Sequence, residues 1–116
     1  MPVLQLMMGN PIAGGVINHT VSLAFTSGFN PSTSPTPANE VYTATPVNGV
    51  GPFTYLWTQL SGIGVTLTGT TTASCTITTN TGSPRSRAGD IHCTVTDTGN
   101  GGYSAFADVS YVLEVL

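Results

Sequence analysis

The acidic residues are the first candidates for acid–base catalysis or metal binding in this chain of 116 residues. None of the five lies at a spacing that indicates a paired general acid and base; they are Glu40, Asp90, Asp97, Asp108 and Glu114. Asp97 precedes the turn signal Thr98-Gly99, so we expect its carboxylate to bond to the backbone of its own turn. A solitary carboxylate supplies few of the roughly six to eight oxygens that calcium takes. The sequence therefore predicts no metal ion and no cofactor.

The histidines and hydroxyl side chains are the next candidates, for nucleophilic chemistry. His19 falls on the apolar phase of one alternating segment and His92 on the polar phase of another, which predicts one core and one surface histidine rather than a shared site. Serines and threonines are frequent, but they form no GxSxG motif and no Cys-His-acid set. The chain has no lysine, which excludes a Schiff-base mechanism. We expect a protein that is not an enzyme.

The two cysteines, Cys75 and Cys93, are too few for a zinc site and form no CxxC motif. A disulfide forms if they face each other across a core in an oxidising compartment. A cytoplasmic origin favours two reduced, buried thiols that pack as small apolar side chains. The reduced pair is the favoured prediction, and the disulfide is the alternative.

Alternating apolar and polar residues place these side chains on β-strands. Thr, Ser, Gly and Asn supply 51 residues, a composition rich in strand and turn formers. Period-two alternation predicts seven strands, over residues 16–25, 40–47, 53–60, 63–67, 73–79, 91–97 and 103–115. The proline-rich segment 26–38 and the segment 80–90, which holds both arginines, are predicted loops. This pattern indicates an all-β, two-sheet antiparallel sandwich.

The length allows one domain, which we place at residues 16–116, preceded by an uncharged extended arm at residues 1–15. The inward phases of the strands predict the structural core, which includes Tyr55, Trp57, Cys75, Cys93, Val95 and Tyr111. The arm holds the candidate partner-binding residues, Val3, Leu4, Leu6, Met7 and Met8. We expect this apolar run either to dock on another protein or to form an extra edge strand on its own sheet. Phe106, on an outward phase, is a further candidate contact.

Three segments carry a resemblance to a known family. They are Tyr-Thr-Ala-Thr-Pro-Val-Asn-Gly at 42–49, Gly-Pro-Phe-Thr-Tyr-Leu-Trp at 51–57 and Cys-Thr-Val-Thr-Asp-Thr-Gly-Asn-Gly-Gly at 93–102. Together they resemble the PKD and Ig-like β-sandwich domains, and they are similar to small Ig-like domains of tailed-bacteriophage virion proteins. The resemblance covers residues 40–116 and implies an Ig-like (PKD-like) sandwich with Trp57 in its core. It implies no activity, because such sandwiches serve as scaffolds.

The low charge of the chain limits its partners. Charged residues make up 6% of the sequence, the formal net charge is -3, and no Lys or Arg precedes Arg85. Nucleic acids and anionic membrane surfaces are bound by clustered Lys or Arg, so the sequence argues against both. The N-terminus lacks the basic start of a secretory signal, and no apolar stretch approaches the roughly 20 residues of a membrane span. We expect a complete product that is made in a host cytoplasm.

These observations together predict a structural protein of a bacteriophage virion. A sandwich of extracellular type without an export signal is accounted for if the protein assembles in the cytoplasm and is exposed after lysis. Few charges and no lysine on the sheet edges indicate a surface that neighbouring proteins cover. We expect a non-enzymatic capsid decoration or cement protein, as a single chain or a homo-oligomer, whose arm grips the major capsid protein.

Two alternative functions follow from the same sequence. The domain could serve as a tail protein, either a tube subunit or an Ig-like accessory. It could also be a carbohydrate-binding module that contacts host glycans during adhesion. The carbohydrate module requires a row of exposed aromatic side chains, whereas most aromatic residues here fall on inward phases.

Overall fold

The computed structural model describes residues 16–25 and 31–116, and these residues form seven β-strands. The strands are β1 (Thr20–Phe25), β2 (Asn39–Val47), β3 (Phe53–Ser61), β4 (Val65–Thr68), β5 (Ser74–Thr79), β6 (Arg85–Asp97) and β7 (Tyr103–Val115). The predicted arm at residues 1–15 and the first part of the predicted proline-rich loop, residues 26–30, lie outside the described residues. In the described part, no helix is long and apolar enough to cross a membrane.

The strands form two antiparallel sheets that pack as a sandwich. One sheet has four strands in the order β1-β2-β5-β4, and the other has three in the order β3-β6-β7. This is the strand order of a constant-type immunoglobulin sandwich. The predicted all-β, two-sheet antiparallel sandwich of seven strands is therefore confirmed.

The core lies between the two sheets and is built from alternate residues of each strand. Trp57 is at its centre, and its indole Nε1–H donates a hydrogen bond of 2.8 Å to the backbone oxygen of Thr72. Of the residues expected in the core, Tyr55 is only partly buried and packs against the cluster. The fully enclosed ones are Trp57, Cys75, Cys93, Val95 and Tyr111.

The predicted loop at residues 80–90 is wrong in its second half, because β6 begins at Arg85. Residues 85–90 pair with the last part of β7, from Arg85 opposite Val115 to Asp90 opposite Ser110. Pairing with a strongly alternating partner overrides the weak strand propensity of this polar segment. Gly89 is required within it, because a Cβ at this position would collide with the carbonyl oxygen of Ser61.

Other strand limits also differ from the sequence prediction, and those of β2, β3 and β5 do so by one residue each. The first strand begins at Thr20 instead of residue 16, and the fourth runs from Val65 to Thr68 rather than over residues 63–67. The predicted loop 26–38 also contains a short paired segment, in which Ser32 forms a parallel bridge with Val115. Hydrogen bonds from Ser32 N to Glu114 O and from Leu116 N to Ser32 O hold this segment against the end of β7.

Replacement of Trp57 tests this account of the core. Trp57→Phe leaves a cavity and removes the donor to the Thr72 carbonyl, so we expect the free energy of unfolding to fall by about 1–3 kcal/mol. The matched control is Leu56→Ala on the adjacent, outward-facing residue, which we expect to change it by less than about 0.5 kcal/mol. Urea unfolding followed by circular dichroism measures both; equal effects of the two substitutions would contradict the account.

Candidate functional site

A buried carboxylate joins two turns at one end of the sandwich. Asp97 ends β6 and is fully buried. Its carboxylate accepts hydrogen bonds from the backbone N–H of Val50, at 2.8 Å, and of Gly51, at 2.7 Å. Both donors belong to the β2–β3 turn, so the expectation that Asp97 bonds to its own turn is wrong. The carboxylate instead serves as the shared acceptor that fixes one turn to the other.

The hydrogen bonds to Asp97 favour its charged form. Burial is the largest single influence on the pKa of Asp97 and raises it, but the two backbone donors, the Asn100 side chain and His19 together outweigh burial. The pKa of Asp97 is therefore lowered from its ordinary value. A carboxylate that is charged at neutral pH and held by fixed donors is suited to positioning backbone rather than to proton transfer.

The two turns approach so closely that glycine is required in each. A Cβ on Gly49 would lie 2.7 Å from Asp97 Oδ2, and its φ of +92° is in the left-handed region. A Cβ on Gly99 would collide with the carbonyl oxygen of Gly51. The Thr98 hydroxyl completes the contact by donating to the Pro52 oxygen at 2.8 Å.

Asn100 fixes the chain that enters the first strand to the same end of the sandwich. Its side-chain oxygen accepts from the backbone N–H of Ile17 at 3.0 Å, and its amide nitrogen donates to the Ile17 carbonyl. His19 is buried as predicted and packs edge-on against the rings of Phe53 and Tyr103. Neither ring nitrogen of His19 has a hydrogen-bond partner among the described residues. This cluster therefore fixes Ile17 and His19, which precede β1, to the end of the sandwich that holds Asp97.

A second polar cluster lies on the outer face of the three-stranded sheet. His92 Nδ1 lies 2.5 Å from Asp108 Oδ1, and His92 Nε2 lies 3.0 Å from the Thr94 hydroxyl. The order of hydroxyl, imidazole and carboxylate is that of a nucleophile activated by an oriented base. Sequence reasoning missed this set, although the i, i+2 spacing of His92 and Thr94 and the β6–β7 hairpin register could have indicated it.

Within residues 16–25 and 31–116, the strands around this set do not supply the second half of a hydrolytic site. Acyl transfer also needs backbone N–H groups or other donors that stabilise an oxyanion. Thr94 lies on the central strand of its sheet, opposite Leu56 on β3 and Phe106 on β7. The backbone of the central strand is engaged in ladders on both sides, so the sheet offers the hydroxyl no such donors. The His92–Asp108 pair is best suited to orienting surface side chains.

Apolar side chains surround this pair on the same outer face. Leu56 and Phe106 flank Thr94 across the three strands, and their exposed fractions are 52% and 64%. The ring of His92 stacks at a tilt against Phe106, with a centroid distance of 4.8 Å. Leu60 on β3 and Val112 on β7 are further exposed apolar residues. We call the surface formed by Leu56, Thr94, Phe106, His92 and Asp108 the outer face.

Three further titratable groups are buried between the sheets or at their margin: Cys75, Cys93 and Glu40. Burial raises the pKa of both Cys75 and Cys93 to about 11, and the two thiols are free. Burial also raises the pKa of Glu40, which is 4% exposed. In residues 16–25 and 31–116, no three His, Cys, Asp or Glu side chains are grouped as metal ligands.

The candidate binding residues from the sequence fall into two groups. The arm residues Val3, Leu4, Leu6, Met7 and Met8 lie outside the described residues. Phe106 is exposed on the outer face, where it lies on the edge strand β7. Sequence reasoning did not predict the two hydrogen bonds between the Asn100 side chain and the Ile17 backbone, since no local pattern relates residues 83 positions apart.

Comparison with known proteins supports the fold. No family model and no curated protein sequence matches the chain. One similar solved structure is a nucleoside hydrolase-related hypothetical protein from Saccharophagus degradans that is associated with carbohydrate metabolism, with a TM-score of 0.54 and 15% identity. Another is protocadherin gamma B2 extracellular cadherin domains 1–5, with a TM-score of 0.53 and 14% identity.

The alignments cover 85% and 97% of this chain but only 26% and 21% of the respective structures. The chain thus spans about a quarter or less of each protein that it resembles. At these identities the similarity shows the fold alone. The chain contains a β-sandwich domain that is structurally similar to cadherin and Ig-like domains.

The lowered pKa of Asp97 predicts how stability depends on pH. The folded carboxyl binds protons more weakly than the unfolded one, so its contribution is present above the ordinary aspartate pKa of about 4 and is lost as the pH falls through the folded value. We expect Asp97→Asn to lower stability at pH 7 and to flatten its decline at acid pH.

The control for this prediction is Glu114→Gln, which removes a carboxylate from the far end of β7. Urea unfolding midpoints measured from neutral to acid pH should decline in this control as in the unsubstituted chain. An Asp97→Asn profile that runs parallel to the unsubstituted profile at every pH would contradict the assigned role of Asp97.

Proposed function

We propose that this chain is a non-enzymatic structural protein of a bacteriophage virion, specifically a capsid decoration or cement protein that binds the major capsid protein. The outer face is the observation that carries the proposal. Its large apolar side chains, Leu56 and Phe106, lie in one row across the three-stranded sheet and are more than half exposed. An exposed apolar surface of this kind is typical of a site that another protein covers.

The composition of the outer face supports a protein partner. The cores of protein interfaces are enriched in aromatic residues and depleted of free charge. Phe106 supplies the aromatic ring, and the Asp108 carboxylate beside it is hydrogen-bonded to His92. The carboxylate can therefore keep a hydrogen-bond partner when a protein covers the surface.

The low charge of the whole chain supports burial in an assembly. The sequence has two basic residues and five acidic ones, and it has no lysine with which to protect sheet edges from other strands. A free monomer with this surface is prone to association, whereas a subunit covered by neighbours is not. The two unbridged thiols are in keeping with synthesis in a reducing cytoplasm before assembly.

Two related functions use the same surface. A tail tube or tail accessory protein would bind its neighbours through the outer face in the same way. The identity of the bound partner therefore distinguishes a capsid protein from a tail protein. A carbohydrate-binding module is favoured by one observation, the stacked rings of Phe106 and His92, which form a small exposed platform. The apolar neighbours of this platform favour the protein partner over the sugar.

Substitution of Phe106 tests the proposed function. Phe106→Ser removes the largest exposed side chain of the outer face, so we expect its affinity for expanded empty capsids to fall about tenfold or more. The capsids are assembled from the major capsid protein encoded in the same genome, and binding is measured by co-sedimentation. The matched control is Ile63→Ser, which changes a residue that is 76% exposed but lies outside the outer face.

The proposal fails if the unsubstituted chain does not bind the capsids, or if the two substitutions weaken binding equally. Binding to purified tails instead of capsids would support the tail alternative. Binding to a glycan array that Phe106→Ser abolishes would support the carbohydrate alternative.

A further inference from the structure

The two arginines of the chain lie together at the end of the sandwich opposite to Asp97. Arg85 and Arg87 are the only Lys or Arg residues, and they begin β6, the strand that Asp97 ends. Residues two apart on a strand point to the same face, and their Cα atoms are about 7 Å apart. The odd-numbered set continues into the buried Ile91 and Cys93, so both arginines project from the inner side of the sheet. We call them the arginine pair.

The carboxylates of the same sheet project from its other side. Asp90, Asp108 and Glu114 occupy the outward phase of β6 and β7 in the ladder register. In the described part of the chain, the only ion pair joins His92 to Asp108. Glu40, which is buried on the facing sheet, forms no ion pair with an arginine in this part either. The register therefore leaves both positive charges without a counter-charge from the described residues.

The backbone of the turn before β4 holds the guanidinium of Arg87 in place. A Cβ on Gly64 would lie 2.5 Å from Arg87 Nε and 2.7 Å from its Cζ, so only glycine leaves room for this group. The φ of Gly64 is +78°, in the left-handed region that favours glycine. Arg87 is half-buried, and its Nε is enclosed with no hydrogen-bond partner among the described residues. Arg87 is therefore a fixed donor, whereas Arg85 beside it is exposed.

A guanidinium held in this way lowers the stability of the fold until a ligand pairs with it. A partly buried charge that lacks hydrogen-bond partners destabilises the folded state. Arginine does not lose its proton in proteins, so Arg87 cannot relieve this cost by becoming neutral. An apolar side chain of similar length would fill the same space without the cost. A local departure from the most stable choice is typical of a functional site.

We propose that the arginine pair binds a phosphate group. Each guanidinium has five N–H donors in a planar fork that matches two oxygens of a phosphate. The dianion of a phosphomonoester or of free phosphate balances both positive charges at once, whereas a carboxylate balances only one. The spacing of about 7 Å between the two Cα atoms allows both long side chains to reach the same group.

The site is separate from the outer face, because its side chains leave the sheet on the opposite side from Leu56 and Phe106. The inference therefore goes beyond the proposed function and does not depend on it. A nucleic-acid strand does not fit the pair, since two basic residues neutralise only two phosphates and the sequence has no further Lys or Arg to extend the contact. The ligand class is a small phosphate, either the free ion or a phosphomonoester.

Phosphate titration of the full chain at pH 7, followed by backbone amide NMR signals, tests the proposal. Inorganic phosphate and glycerol phosphate are added separately, and potassium chloride at matched ionic strength controls for screening. We expect both phosphates to cause saturable shifts of the amide signals of Gly64, Arg85 and Arg87, and chloride to cause none. Tighter binding of glycerol phosphate would support an organic phosphate as the ligand, and equal binding would support the free ion.

Substitutions at the start of β6 assign the binding to the arginine pair. Arg87→Met removes the charge and keeps a side chain of similar length, so we expect the affinity for phosphate to fall about tenfold or more. The matched control is Ser86→Ala, which changes the residue between the two arginines on the other side of the sheet and should bind as the unsubstituted chain does. Thermal unfolding without phosphate reports whether each variant is folded.

The proposal is overturned if phosphate shifts no signal beyond the effect of chloride, or if the folded Arg87→Met variant binds phosphate as tightly as the Ser86→Ala variant. It is also overturned if acetate binds as tightly as phosphate, since the site would then take single carboxylates. Capsid binding is not part of this readout, so failure here is distinct from failure of the proposed function.

Discussion

The uninterrupted antiparallel ladder between β6 and β7 is the constraint on which the rest of the molecule depends. Its register assigns every side chain of both strands to the core or to the outer face, because a shift of one residue would exchange the two sets. It buries Cys93 and Val95, and it exposes Phe106. The same register places His92 opposite Asp108, so the polar pair and the apolar row arise from one pairing.

The turn cluster around Asp97 maintains that register where the hairpin reverses. One charged, buried carboxylate holds the β2–β3 turn against the β6–β7 turn, and glycine at position 99 allows the backbones to meet. Asn100 then fixes Ile17 to the same end. The end of the sandwich that holds the buried carboxylate is therefore also the end at which Ile17 and His19 are fixed.

The sequence predicted the parts of the fold in which local pattern and tertiary pairing agree. The limits of β7 were predicted correctly because apolar residues alternate along its whole length. The start of β6 was missed because residues 85–90 are polar and become a strand only through their partner on β7. The role of Asp97 was misassigned for the same reason, since its donors are 46 and 47 positions away. The alternation of residues along β7 was enough to predict that Phe106 points outward. The residues beside it on β6 and β3 could be identified only from the pairing register of the three strands.

The central claim is that the outer face contacts another virion protein. Photo-crosslinking from position 106 tests it most directly, with a benzoyl-substituted phenylalanine in place of Phe106 and in place of Ile63 as the control. The account predicts that, in assembled particles, position 106 crosslinks to the major capsid protein and position 63 does not. Equal crosslinking from both positions, or none from position 106 in particles that contain the chain, would contradict it.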